Sequence, residues 1–116
     1  MMRKSLLLIL ISLFLVISIA PVKAQRDPNT ANFWLDVCRI KDSLACVAFV
    51  VGNHHGLGYA ATNGGYVIPY CEPKGVENSQ RVDIFRRYLE AHLEHRHRAA
   101  GALYVQAIRE AFPCKR

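Results

Sequence analysis

The opening stretch constrains this chain most: Arg3 and Lys4, an apolar run from Leu6 to Ala20, then Val22, Lys23 and Ala24 ahead of Gln25. A basic start, a short apolar segment and small residues before a cut form a secretory signal peptide, cleaved between Ala24 and Gln25. The apolar run is shorter than the roughly 20 residues a spanning helix needs, so the membrane enters only during export. The chain therefore divides into a signal peptide, residues 1–24, and one small domain, residues 25–116, in an oxidising compartment. A domain of that size is marginal on its hydrophobic core alone and calls for covalent staples.

Those staples are present as Cys38, Cys46, Cys71 and Cys114, with no CxxC pair among them. An even set of isolated cysteines in a secreted domain reads as two disulfides, with three connectivities open. A zinc site would bring paired ligands two to four residues apart, which these thiols lack. The charge balance excludes another class. Of the 15 basic residues, Arg3, Lys4 and Lys23 leave with the signal peptide, and the rest interleave with 9 acidic residues. That is the pattern of solvated helical faces, not of a nucleic-acid-binding surface.

The mature chain reads as all-α, a small disulfide-stapled bundle of about four helices. Phe33, Trp34, Val37 and Cys38 give a short first helix with one apolar face, Trp34 belonging to the core. Asp42 or Ser43 caps the second, which starts near Leu44 and is apolar nearly all round through Val51, as suits the middle of a bundle. Its β-branched content would also suit a buried strand. Helical character weakens after Gly52, since Gly56, Gly58, Gly64 and Gly65 each cost about 1 kcal/mol in a helix, and ends by Asn63. Pro69 and Pro73 keep Tyr66 to Pro73 extended. A third helix starts near Asn78, with Val82, Phe85, Leu89 and Leu93 on one face. The fourth runs from about Arg96 to Phe112, burying Ala100, Leu103, Tyr104, Ala107 and Ala111, until Pro113 stops it.

Lengths suggest a pairing. A second helix ending near Ala61 is roughly 27 Å long, and the extended segment after it can cover about the same distance. The chain can thus return alongside and bring Cys71 to Cys46, which leaves Cys38 for Cys114. The alternative, Cys38 with Cys46, closes a small loop and stabilises less.

At this point the residues carry a resemblance. Cys38, Cys46-Val47-Ala48-Phe49-Val50-Val51-Gly52, Cys71-Glu72-Pro73-Lys74-Gly75-Val76, Gln80, Tyr88-Leu89-Glu90-Ala91-His92, His97-Arg98-Ala99-Ala100 and Ala111-Phe112-Pro113-Cys114 occur in the order seen in the Rap1a/Tai family. The chain resembles these small periplasmic immunity proteins, which neutralise peptidoglycan amidase effectors of bacterial type VI secretion systems. The resemblance implies a disulfide-bonded helical domain that dimerises, and a loop that blocks the partner enzyme's cleft. It implies residence in the periplasm of a Gram-negative bacterium. Two places depart from the family pattern. Leu93 stands where a proline usually follows the histidine, so the turn there should be softer or shifted. Glu77 stands where a capping threonine is usual, and Asn78 or Ser79 could cap instead.

The titratable residues invite other chemistries. His92 and His95 would share one face of a continuous helix, with His97 nearby, but no carboxylate or thiolate at ligand spacing completes a metal's first shell. His54 and His55 are adjacent and cannot face one ligand from a regular helix. Ser43 and Ser79 sit where helices begin, and a cysteine nucleophile needs a free thiol. No catalytic residue, metal or cofactor is expected. The first candidate for a partner-binding loop is the polar turn with His92, Glu94, His95, Arg96 and His97. The second is Asn53 to Tyr66, where a glycine-rich backbone would expose His54, His55 and Tyr59. The competing reading is a helical carrier or chaperone, which would enclose an apolar pocket lined by Phe49, Phe85, Leu89 and Leu103.

Overall fold

Four helices pack around one core in a computed structural model that describes residues 26–115. The signal peptide expected over residues 1–24 lies outside the described residues. The helices are α1 (Ala31–Arg39), α2 (Leu44–Gly64), α3 (Asn78–Ala91) and α4 (Ala100–Ala111), with a 3-10 turn at Leu93–His95 between the last two. The second segment is a helix, not a strand.

A ladder of aromatic rings ties the helices together. Trp34 of α1 stacks on Phe49 of α2 at 4.0 Å between ring centroids, Phe49 lies 5.6 Å from Phe85 of α3, and Phe85 meets Tyr104 of α4 edge-on at 5.9 Å. Trp34 is half-buried, and its Nε1 donates to the Pro28 carbonyl at 2.8 Å. Around this ladder Leu35, Val50, Leu89, Leu103 and Ile108 are fully buried. Truncating Phe85 to Ala would cost about 3–5 kcal/mol on the usual scale for a buried aromatic.

Local chemistry sets the starts of α2 and α3. Ser43 caps α2, its hydroxyl accepting from the Cys46 N–H at 3.2 Å. Asp42 just before it adopts a left-handed conformation, φ 55°, which folds α1 and α2 into a tight hairpin. At α3 the expected substitute caps are not used. Glu77 itself is the N-cap, and the Gln80 side chain reaches back to its N–H at 2.9 Å in a capping box.

Three expectations need correction. First, α2 does not weaken after Gly52 but runs unbroken to Gly64, ending where Gly65 turns left-handed at φ 67°. Side chains reinforce it: Asn53 Nδ2 donates to the Phe49 carbonyl at 2.8 Å and Thr62 Oγ1 to the Gly58 carbonyl at 2.9 Å. Second, α4 begins at Ala100, not Arg96. Ala99 instead pairs with Thr30 in an isolated antiparallel bridge, the Ala31 N–H donating to the Arg98 carbonyl and the Ala100 N–H to the Asn29 carbonyl, each at 3.0 Å. Because α3 has stopped at Ala91, Leu93 is 68% exposed instead of joining the face of Val82, Phe85 and Leu89. Ala111, at the last residue of α4, is also exposed.

Third, the disulfides are Cys38–Cys46 and Cys71–Cys114, not Cys46–Cys71 and Cys38–Cys114. Loop-closure entropy sets how much a bond stabilises, not which sulfurs meet. Cys38 lies in the last turn of α1 and Cys46 in the first turn of α2, and the tight hairpin sets them face to face. The extended segment runs back along only part of α2, bringing Glu72 near His54 and not Cys71 to Cys46. It turns to the end of α4, where the Cys71 N–H donates to the Phe112 carbonyl at 2.9 Å.

Candidate functional site

The turn between α3 and α4 has a sharply defined shape because 3-10 geometry eclipses side chains three residues apart. His92 and His95 therefore stack, ring centroids 5.6 Å apart with 20° between their planes. Glu94 sits between them. Its Oε1 lies 3.3 Å from His92 Nδ1 and 3.4 Å from His95 Nε2. Its own backbone N–H and the His92 ring hold its carboxyl below the usual carboxylate range. On its far side the His92 ring points Nε2 toward Glu110 Oε2 of α4 at 3.8 Å and leans on Tyr88 at 4.2 Å. The carboxylate judged missing from this cluster is thus present at Glu94, brought in by the 3-10 turn.

Arg96 has a different task. Its Nε donates to the Leu89 carbonyl at 2.8 Å and its Nη2 to the Glu90 carbonyl at 3.3 Å, closing the C-terminal end of α3. The Arg96 carbonyl in turn accepts from the Asn32 N–H of α1 at 2.9 Å. Arg96 therefore anchors the turn, while Glu94 and His97 are exposed and His92 and His95 half-exposed beside them.

The second candidate surface is helix, not loop. His55 and Tyr59 point outward from α2, Tyr59 being 72% exposed. His54 points inward, its Nδ1 buried without a hydrogen-bond partner. Burial first, and the Arg81 charge second, lower its pKa from 6.5. What it faces is a polar cluster that the sequence reading missed. Arg81 is 9% exposed and donates through Nε to Glu72 Oε2 at 3.0 Å, through Nη2 to Glu72 Oε1 and through Nη1 to Asn78 Oδ1 at 2.7 Å. Tyr70 and Tyr104 lie beside it, and burial raises the pKa of both phenols. The available signal was Glu72 two residues after Tyr70, which is buried.

Among the described residues the cysteines, Ser43 and Ser79 all have structural partners. All four cysteines are in disulfides, Ser43 is spent on a cap, and Ser79 Oγ donates to Glu77 at 3.4 Å. Two open surface grooves, of about 360 and 340 Å³, are lined by neither Phe49, Phe85, Leu89 nor Leu103. No helix among the described residues is long and apolar enough to cross a membrane.

The described residues form a doubly stapled helical scaffold with one braced polar turn. The family model for Rap1a immunity proteins matches residues 30–114, and the chain belongs to that family. Rap1a immunity proteins are inhibitors that act on type VI effectors in the periplasm. No curated protein and no solved structure matches the chain.

Proposed function

We propose that this protein is a periplasmic inhibitor that binds a type VI secreted peptidoglycan amidase and occludes its active-site cleft with the turn from His92 to His97. Family membership supports the immunity role. The observation that carries the choice of turn is its bracing: Arg96 fastens it to α3 and the Asn32 N–H fastens it to α1, while Glu94, His95 and His97 remain available. A preformed loop loses less freedom on binding, so more of its contact energy appears as affinity. The packed core favours this reading over the carrier: Phe85, Leu89 and Leu103 have no exposed surface and enclose no ligand space between them.

A second copy of the chain is the proposed partner for α2. From Leu44 to Gly64 this helix carries no Asp, Glu, Lys or Arg, yet Ala45, Ala48, Gly52 and Gly56 are exposed along it. A face with small side chains and no charge suits close helix packing in a homodimer. Export through a cleaved signal peptide belongs to the same reading, and the mature N-terminus should be Gln25.

The test replaces Glu94, His95 and His97 together by Ala and leaves Arg96 intact. Protection of cells against the co-encoded amidase should be lost, with thermal unfolding nearly unchanged, because exposed substitutions usually alter stability by less than about 0.5 kcal/mol. Full protection by that variant would move the inhibitory surface to His55 and Tyr59.

A further inference from the structure

We propose that His92, Glu94 and His95 form a binding site for a divalent transition metal, zinc being the best match. This goes beyond the immunity reading and does not depend on it. The donor set is chemically apt: two imidazoles and a carboxylate are common zinc ligands, and three protein ligands leave one coordination position open. Two of the three donor separations are apt as well. Bonds of about 2.0–2.1 Å in a tetrahedral site place ligand atoms roughly 3.3–3.4 Å apart. Glu94 Oε1 stands 3.3 Å from His92 Nδ1 and 3.4 Å from His95 Nε2, and the three donor atoms all lie within 4.8 Å of one another.

A second, independent observation is the far side of His92. A metal-binding imidazole commonly directs its other ring nitrogen at a carboxylate, which fixes the tautomer and the ring orientation. With Nδ1 aimed at the site, His92 presents Nε2 to Glu110 Oε2 at 3.8 Å, from a different helix. Tyr88 packs on the same ring. At 3.8 Å Glu110 makes no direct hydrogen bond, and the packing of Tyr88 together with the 3-10 turn holds the His92 ring in place. The open coordination position lies on the solvent side, where Glu94 is 62% exposed, so water or a partner's side chain completes the shell.

Titrating the mature chain with Zn²⁺ alone in a calorimeter tests this. One ion should bind per chain, with nuclear magnetic resonance shifts confined to the rings of His92 and His95 and the residues around them. Substituting His95→Ala or Glu94→Gln should weaken binding at least tenfold. His54→Ala with His55→Ala should leave it unchanged. No saturable binding, one ion shared by two chains, or undiminished binding in the His95→Ala and Glu94→Gln variants would overturn the site. The shift mapping uses the unaltered protein, so the outcome stands even if a variant folds poorly.

Discussion

Arg81 and Glu72 meet inside the fold with only 11% of each side chain exposed, Glu72 on the extended segment and Arg81 on the second turn of α3. The pair locks that segment to the helix, and the bond to Glu72 raises the Arg81 pKa. Removing one partner strands the other charge where water reaches it poorly. Glu72→Ala should therefore cost about 3–5 kcal/mol. Chemical denaturation of the variant checks it, and an unchanged midpoint would show the pair contributes nothing.

The two disulfides should contribute unequally. Cys71–Cys114 spans 43 residues and Cys38–Cys46 only 8. Loop-closure entropy gives about 4 kcal/mol for the long loop and about 2.5 kcal/mol for the short one. Replacing Cys71 and Cys114 by Ala should lower the unfolding free energy more than replacing Cys38 and Cys46. The reverse order in urea titrations would mean that native strain or residual structure in the unfolded chain dominates.

Glycines in α2 offer a gain in stability. A Cβ built at Gly58 meets nothing within 4 Å, and the residue lies inside a continuous helix. Gly58→Ala should stabilise by about 0.5–1 kcal/mol, since alanine leaves the unfolded chain less freedom to lose. Gly101 is the contrasting control: a Cβ there would sit 3.0 Å from Asn53 Oδ1. A higher melting temperature for the first variant and a smaller or opposite change for the second is the expected pattern.

The helical plan was legible because periodicity reports burial directly. Ser43 as a cap, Pro69 and Pro73 as extended punctuation, and Val82, Phe85 and Leu89 as a core face all follow from local rules. What local rules missed was tertiary. Per-residue glycine cost argued for a break after Gly52, but packing through Leu57 and side-chain bonds to α2 carbonyls hold the helix together. The disulfide pairing failed for the same reason, since the direction in which the chain leaves Gly65 has no signature in sequence. At the turn, sequence names the residues but not the contacts of Arg96. Arg96 looks like a free surface charge, and only the position of the α3 carbonyls shows it to be a cap.

The order of the cysteines along the chain carries one more consequence. The first joins the second and the third joins the fourth, so neither bond encloses or crosses the other. Emergence order and bonding order coincide. A chain that crosses a membrane N-terminus first exposes Cys38 and Cys46 together while Cys71 is still hidden, and an oxidant that links each new thiol to the unpaired one before it makes both native bonds. Exported in that way, this domain would need an oxidase but no isomerase, whereas a nested arrangement would make reshuffling part of every molecule's history.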